Sequence, residues 1–325
     1  MTSAPRNVLV TGASLPMGER LLRTLLADSR VGHVIAVTGE DPSVLPVREA
    51  GRLHPVQLDL RSSRRVHGLL FGLARDLRVD TVVHLAAHRA ARDEGAAVHA
   101  FNVEALRGLL ELCERHPTIR RLVLRSDVAV YQVQRDLPVL IGEDHPLNLT
   151  GNSPQWVRDR VEADVMACCR MGLSPLQIVV LRMAELLAPG AGSQIHDYLQ
   201  SPICLRPAGY DPMLNLLTIE DAVGALQKAV HHDAQGIFNI PGADTLPLST
   251  CIRAYGRIGL PVPGTWMTPL YAWRRRLRGH DFRYGMNRRR FHYSGVLDGT
   301  RARDVLGYVP CHPVEWPVRL HEAED

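Results

Sequence analysis

The stretch over residues 7–25 constrains the fold of this chain more than any other. Residues 7–11 form a short run with an apolar centre, a glycine turn follows, and Met17, Leu21 and Leu25 recur at helical spacing. This pattern predicts a strand, a tight turn and a helix. Such a turn presents free backbone N–H groups and the positive end of a helix at the carboxyl end of a strand. A dinucleotide diphosphate binds at such places in parallel α/β sheets.

The glycines of this turn fit a dinucleotide-binding pattern only in part. In the pattern Gly-x-x-Gly-x-x-Gly, the middle glycine lets the backbone approach a diphosphate closely. Here Gly12 and Gly18 occupy the outer positions, but Leu15 occupies the middle one, and Pro16 after it has no N–H to donate. The turn therefore predicts a compromised nucleotide site. A plain strand-to-helix turn without a ligand is an equally good interpretation.

The rest of the chain repeats the alternation of strand and helix. Further strands are predicted at 34–38, 56–58, 81–84, 121–125, 177–182 and 236–240, and helices around 64–76, 96–115 and 153–171. The alternation predicts a doubly wound parallel sheet of the Rossmann type. We expect residues 1–185, with 214–241 returning to them, to form this domain. We expect 186–213 and 242–325, helical and basic from Leu248 onward, to form a smaller C-terminal lobe.

Acidic residues follow the second predicted strand, about 20 residues beyond the glycine turn, where dinucleotide folds often bind ribose hydroxyls. Glu40 or Asp41 could take that role, although a solvated turn is the better-supported interpretation. No leader segment and no run of about 18 apolar residues is found, so we expect a cytoplasmic protein.

The cysteines carry no metal-binding pattern. The chain has six, at Cys113, Cys168, Cys169, Cys204, Cys251 and Cys311. None forms a C-x-x-C pair or stands at zinc-ligand spacing from histidines. We therefore expect buried, reduced thiols and no metal site.

Several segments, taken together and in order, resemble the extended short-chain dehydrogenase/reductase family, the NAD-dependent epimerase/dehydratase group. The matching pieces are Thr11 and Gly12 to Gly18, Asp59-Leu60-Arg61, Asp80 to Ala87, Asn102, Ser126 to Tyr131, Leu181-Arg182 and Glu220-Asp221-Ala222. The resemblance implies NAD or NADP as cofactor. It implies that Gly12 and Gly18 flank the diphosphate and that Asp59 and Leu60 approach the adenine. The resemblance also implies that Leu85, Ala86 and Ala87 line the centre of the cofactor and that Asn102 is a structural or cofactor-side group.

The family's catalytic positions are all substituted. The resemblance implies a Ser or Thr four residues before Tyr131 and a Tyr-x-x-x-Lys on the next long helix. Asp127, Trp156 and Arg160 occupy these positions. Indole cannot exchange a proton near neutral pH, and an ionised aspartate only accepts hydrogen bonds. Arg160 keeps a positive charge that could hold a ribose or phosphate. We expect a structural salt-bridge cluster, with Asp127 paired to Arg160 or Arg158 and capped by the aromatic ring.

Two functions remain open on these residues. The first is a non-catalytic or atypical member of the family that acts in binding, regulation or scaffolding and that still binds a dinucleotide in some form. The second is an NAD(P)-dependent epimerase, dehydratase or reductase acting on a nucleotide sugar, a sterol-like compound or another small carbonyl compound. Its acid/base groups would be relocated to Asp127, His84, His88, Tyr131 or Asp159. The simpler interpretation makes His84 and Tyr131 packing residues and Asp159 a charge on the helix surface.

The C-terminal segment is rich in arginine and tryptophan. Leu270, Trp273 and Leu277 form one helical stripe beside the basic residues that run from Arg274 to Arg290. An anionic membrane surface or an anionic protein partner would suit this composition, whereas nucleic acid is not expected. The favoured interpretation is that the stripe packs on the domain and that the arginines are solvated.

The resemblance also implies a homodimer. Its interface would use the two long helices around 96–115 and 153–171. Met166, Cys168 and Cys169 provide apolar surface compatible with such an interface.

Overall fold

The computed structural model describes residues 5–45, 51–88, 90–278 and 282–318, without the side chains of 275–278. The strands are β1 (Arg6–Thr11), β2 (Val31–Thr38), β3 (Leu53–Gln57), β4 (Thr81–His84), β5 (Arg121–Asp127), β6 (Leu140–Ile141), β7 (Gln177–Met183), β8 (Glu185–Leu186), β9 (Ile203–Pro207), β10 (Met213–Leu217), β11 (Gly236–Ile240), β12 (Asp244–Pro247), β13 (Ile258–Val262) and β14 (Val296–Leu297). The helices are α1 (Pro16–Ala27), α2 (Ser63–Leu69), α3 (Ala96–His99), α4 (Ala105–Glu114), α5 (Gln155–Cys169), α6 (Gln194–Leu199), α7 (Ile219–His231), α8 (Leu248–Ala254), α9 (Gly264–Arg278), α10 (Tyr284–Asn287) and α11 (Thr300–Leu306).

The main sheet is parallel and doubly wound. Within the described part of the chain its strand order is β3-β2-β1-β4-β5-β7-β11. The order reverses between β1 and β4, which pair directly with Thr11 opposite His84. Parallel α/β sheets bind ligands at this switch point, outside the carboxyl ends of the strands. The fold class predicted from the sequence is therefore confirmed.

Side chains alternate between two cores, one on each face of the sheet. Val8 and Val10 of β1 face the core that contains Leu22 of α1. Leu9 points the other way and packs with Leu106 of α4. Each large aliphatic side chain buried in this way contributes about 1.5–3 kcal/mol. This alternation explains why strands covered on both faces have nearly continuous apolar sequences.

The smaller lobe is built around aromatic rings. Tyr198, Tyr271, Phe282, Tyr284 and Phe291 are all buried in one apolar cluster. The rings of Tyr198 and Phe291 meet edge to face, with centroids 4.9 Å apart. The prediction that the chain from Leu248 onward is helical was incomplete, because β13 and β14 lie in this region. These strands pair with β9 and β6, and such distant partners leave no local sequence signal.

Two of the predicted long helices are interrupted. The helix predicted at 64–76 is α2 followed by a π-helical turn over Leu70–Ala74, where Gly72 leaves helical geometry with φ −103° and ψ −107°. The helix predicted at 96–115 contains a second π-helical turn over Ala100–Glu104, between α3 and α4. Such turns insert one residue into the helix and shift the following side chains around the axis.

The cysteines are less uniformly buried than predicted. Cys113, Cys204 and Cys251 are buried, whereas Cys169 and Cys311 are exposed. Cys168 is half-buried and bonds to Asp164 through its thiol. In the part of the chain that the structure describes, no helix has the length and apolar character needed to cross a membrane.

The predicted apolar stripe of α9 packs on the core only in part, because Leu270 lies against it whereas Trp273 points outward. Met267 and Tyr271 face the core, while the side chains of Trp266 and Trp273 are 62% and 61% exposed. Tyr271 decides this orientation, because its hydroxyl donates to the carbonyl of Leu205 at 3.1 Å. The side chain of Leu277 lies outside the described residues.

Part of the positive charge of residues 274–290 is used within the chain. The Arg274 guanidinium lies 5.7 Å from the ring of Tyr271. Arg283 and Arg290 form ion pairs with Glu94 and Glu185 respectively. The segment is therefore tied to the rest of the molecule at several points.

Substitution of Gly18 by alanine tests how closely α1 packs against the glycine turn. An added Cβ at Gly18 would lie 2.2 Å from the carbonyl oxygen of Gly12, so we expect Gly18→Ala to lower the free energy of unfolding by about 1–3 kcal/mol. The matched control is Gly108→Ala in α4, where an added Cβ meets nothing within 4 Å and should stabilise by about 0.5–1 kcal/mol. Urea denaturation measures both. Equal effects of the two substitutions would contradict the packing argument.

Candidate functional site

A cleft opens where β1, β2, β3 and β4 end. Its volume is about 340 Å³. It brings together six residues predicted for cofactor binding, which are Gly12, Leu15, Asp59, Leu60, Ala86 and Ala87. Leu85 and Arg160 line a narrower space next to it, which Leu15 and Ala87 also border. Gly18 lies behind the turn instead, where it allows α1 to pack against Gly12.

The glycine turn packs closely against the backbone that follows β4. Gly12 has a φ of +70°, and a Cβ there would lie 2.9 Å from the backbone nitrogen of Ala86. The amide of Leu15 donates to the carbonyl of Gly12, and the first regular bond of α1 runs from Glu19 to Leu15 at 2.8 Å. The amides of Met17 and Gly18 therefore have no partner within the helix. Met17 borders the narrower space next to the cleft, together with Leu15.

Polar groups line the cleft beyond β2. Thr38 donates through its hydroxyl to Ser14 at 3.1 Å and accepts from the amide of Glu40 at 3.0 Å. Glu40 borders the cleft. Asp41 instead accepts from the amide of Ser43 and begins a 3-10 turn. Of the two acidic candidates, only Glu40 borders the cleft.

The substituted catalytic positions form the predicted charge cluster. Asp127 lies 3.8 Å from Arg160 and 3.6 Å from Arg125. The Arg160 guanidinium stacks on the ring of Trp156, 3.4 Å from its centroid. Burial lowers the pKa of Arg160 to about 10. Arg158, the alternative partner predicted for Asp127, points elsewhere and donates to the carbonyl of Ser153.

Glu185 is a candidate that sequence reasoning missed. It follows β7 directly, pairs with Arg290 from the lobe, and borders a small cavity with Val128, Phe291 and mainly apolar side chains. Burial raises the pKa of the Glu185 carboxyl, and the nearby charge of Asp127 raises it further, although Arg290 opposes both effects. The sequence signal that could have identified Glu185 is the position of an acidic residue just after a buried strand. The pairing with Arg290, 105 residues away, had no such signal.

His84 and Tyr131, two proposed replacements for the missing acid/base groups, are committed to structural contacts. His84 is buried and bonds to Thr11 at 2.9 Å, and burial lowers its pKa to about 4. Tyr131 donates to Asn239 at 2.6 Å and accepts from Arg182. Burial raises the pKa of Tyr131 to about 12. Neither group is free to exchange a proton with a substrate near neutral pH.

Asp159 and His88 have different surroundings from those predicted. Asp159 is buried rather than on the helix surface, because the loop before α3 and the π-helical turn fold over α5. It accepts from His99 at 3.0 Å and from Asn102 at 3.1 Å. Asn102 also accepts from the amide of His88, so it has a structural role. His88 borders the cleft and lies 3.3 Å from Asp93.

The family of the chain is settled by comparison with known sequences. The sequence profile of the NAD dependent epimerase/dehydratase family matches residues 8–199. The chain belongs to this family. This match confirms the resemblance that the motifs indicate. The cleft therefore belongs to a member of an NAD-dependent family.

Several relatives align with this epimerase/dehydratase family member over nearly its whole length. An uncharacterized protein of Mycobacterium tuberculosis is 34% identical over 94% of this chain and 80% of its own length. A 3-diazoavenalumate denitrifying reductase of a Streptomyces species is 30% identical over 94% of this chain and 96% of its own. The structure of dTDP-glucose 4,6-dehydratase from Bacillus anthracis, in complex with NAD, superposes with a TM-score of 0.68 at 17% identity, covering 94% and 92% of the two chains.

One cluster of possible metal ligands lies away from the cleft in this family member. Asp221, Cys311 and His312 place their ligand atoms within 4.8 Å of one another. Both oxygens of Asp221 already accept from the backbone amides of Cys311 and His312. These bonds explain the cluster as an anchor for the chain after α11.

The hydrogen bond between His99 and Asp159 predicts a pH-dependent contribution to stability. The bond raises the pKa of His99 above its ordinary value of 6.5, so its contribution is fully present below that value and is lost as the pH rises through the raised pKa. His99 is partly exposed, so the effect should be only about 0.5 kcal/mol. Urea denaturation should show that His99→Gln costs more stability at acidic than at alkaline pH. A cost that does not change with pH would contradict this.

Proposed function

We propose that this protein is an NAD(P)-dependent oxidoreductase that transfers a hydride between a nicotinamide dinucleotide in the cleft and a small molecule. The observation that carries the proposal is the cleft, together with the half-buried carboxyl of Glu185, whose charge interacts with Asp127 and Arg160. A reductase among the relatives favours an enzyme over the non-catalytic function that the substituted positions first suggested.

The residues of the cleft fit a dinucleotide. The amide of Met17, at the start of α1 and beside the narrower space, would bind the diphosphate, and the absence of a Cβ at Gly12 lets the turn pack against Ala86. Glu40 would accept from ribose hydroxyls. Arg160 borders the narrower space next to the cleft, where it could hold the second ribose. When bound, such a cofactor supplies or accepts the hydride.

Glu185 is the best candidate for the proton transfer that accompanies hydride transfer to a carbonyl. Because its pKa is raised, its carboxyl holds a proton at a higher pH than an ordinary glutamic acid. Reduction of a ketone adds the hydride to carbon, and Glu185 would give its proton to the oxygen. Asp127 and Arg160 form an ion pair with each other. They would therefore exchange no proton with the substrate and would influence the reaction only through their charges.

Some acceptors need no proton at the reacting atom. Replacement of an aromatic diazonium group by hydrogen takes up one hydride, breaks the carbon–nitrogen bond and releases N₂. The diazo compound in the name of the Streptomyces relative makes this class relevant. A site that has lost the tyrosine and lysine of the family, as at Trp156 and Arg160, could still perform this reaction.

Leu15 controls access to the diphosphate position in this proposal. The protein should bind NADH or NADPH, and Leu15→Gly should bind it several-fold more tightly because a side chain is removed from the closest approach. Leu15→Phe should bind it at least tenfold more weakly. Fluorescence of the reduced nicotinamide measures each affinity, with Leu173→Phe on an exposed loop as the control. No binding to the unchanged protein, or equal binding by both Leu15 variants, would refute the cofactor assignment.

Glu185 can be tested through the two classes of acceptor. Glu185→Gln should lower turnover of ketones by about a hundredfold, because the proton donor is lost. It should change turnover of benzenediazonium less than tenfold, because that reaction needs no proton. The loss of NADH absorbance measures both rates. Unchanged ketone reduction by Glu185→Gln would show that Glu185 is not the proton donor. If the unchanged protein turns over neither class of acceptor, the proposal that it is an oxidoreductase fails.

A further inference from the structure

Arg125, near the carboxyl end of β5, lies beside the cofactor cleft. It borders the narrower space next to the cleft, and so do Leu15, Pro16 and Met17 of the glycine turn and the start of α1. Leu15 also borders the cleft itself, so the two spaces meet at the turn. Arg125 and the part of the turn that departs from the glycine pattern therefore border the same space.

The guanidinium of Arg125 is mostly buried but makes no hydrogen bond to a described residue. The side chain is 15% exposed, and its Nε is enclosed without a partner. Its ion pair with Asp127 has a nitrogen-to-oxygen distance of 3.6 Å, which is too long for a hydrogen bond. Asp127 also pairs with Arg160, at 3.8 Å, so two guanidinium groups share this carboxylate. Enclosed donors without a partner commonly mark a missing ligand or water.

Two buried arginines elsewhere in the chain have close partners instead. Arg182 donates to both oxygens of Asp164, at 2.6 Å and 3.0 Å, and to the hydroxyl of Tyr131. Arg121 donates to a backbone carbonyl at 2.8 Å and to a glutamine side chain at 2.6 Å. Guanidinium groups that stabilise this fold are thus hydrogen-bonded within it. Arg125 differs from them, which indicates that its partner is not part of the chain.

The narrower space suits one small anionic group of a ligand that lies mainly in the cleft. Its volume is about 20 Å³, whereas that of the cleft is about 340 Å³. The glycine turn offers few donors to such a group, because Pro16 has no N–H and the amide of Leu15 already donates to Gly12. A guanidinium can donate several hydrogen bonds to phosphate oxygens and also brings a positive charge.

We propose that Arg125 binds the diphosphate of the dinucleotide and supplies the hydrogen bonds and the charge that the altered glycine turn lacks. The diphosphate would meet the amide of Met17 on one side of the space and Arg125 on the other. The identity of this ligand rests on the proposed function. That Arg125 has no hydrogen-bonding partner in the unliganded protein does not rest on it and has a test of its own.

Binding of NADH and of ADP-ribose to the full chain tests the proposal. ADP-ribose contains the diphosphate but no nicotinamide. Arg125→Gln should weaken the binding of both compounds at least tenfold, and Arg125→Lys should weaken it less because the charge is kept. Arg23→Gln, which removes an exposed arginine of α1, is the matched control and should bind both normally. Nicotinamide fluorescence measures the affinity for NADH, and calorimetry measures that for ADP-ribose.

Thermal unfolding without ligand separates ligand binding from a structural role. Arg125→Gln removes a mostly buried guanidinium that has no hydrogen bond, and Asp127 keeps its pair with Arg160. The melting temperature of Arg125→Gln should therefore equal or exceed that of the unchanged protein. A melting temperature several degrees lower would show that Arg125 stabilises the fold and would contradict the proposal.

The binding results distinguish this proposal from the proposed function. If the unchanged protein binds ADP-ribose in an Arg125-dependent way but does not bind NADH, the proposed function fails and the diphosphate site stands. If Arg125→Gln binds NADH and ADP-ribose as tightly as the unchanged protein, the diphosphate assignment is wrong and the proposed function stands. Weaker binding of benzoate to that variant would then show that Arg125 binds the carboxylate of an acceptor. If the unchanged protein binds neither dinucleotide compound, both proposals fail.

Discussion

Contact between the glycine turn and the start of α1 positions every other feature of the cleft. Gly18 lies against the carbonyl of Gly12, and Gly12 in turn lies against the backbone of Ala86 after β4. Because there is no room for a Cβ at either position, the helix end and two strand ends converge within a few ångströms. This convergence places Pro16 and Met17, at the start of α1, at the border of the narrower space next to the cleft. Leu15 narrows the cleft without removing it.

A cluster of partly buried charges occupies the positions that the resemblance assigns to the catalytic groups of the family. Asp127, Arg125 and Arg160 hold one another, and Trp156 supports Arg160 through its ring. Asp127 has two guanidinium groups within 4 Å, so its charge is paired. Glu185 is also paired, with Arg290, but burial and Asp127 both oppose its ionisation. The surroundings of Asp127 therefore include one carboxyl, that of Glu185, whose pKa is raised.

The predictable part of the site consists of short motifs that each directly follow one strand. Gly12, Asp59 and Ala86 each follow a strand, and parallel strands end at one edge of the sheet, so their meeting in one cleft could be expected. Pairs distant in sequence could not be expected in this way. Arg290 reaches Glu185, and Arg283 reaches Glu94, from a lobe whose folding depends on its own aromatic core. The surroundings of Asp159 were mispredicted for the same reason, because His99 and Asn102 cover it from another element.

The amino-acid sequence by itself determined the doubly wound sheet, the glycine turn and the presence of Trp156 where the resemblance implies a tyrosine. These follow from apolar periodicity and from the chemistry of single residues such as Trp156, which are local properties of the chain. Only the tertiary structure decided that Asp159 is buried, that Arg290 pairs with Glu185 and that Arg283 pairs with Glu94. Burial and pairing depend on elements far apart in sequence, and no local pattern records where those elements meet.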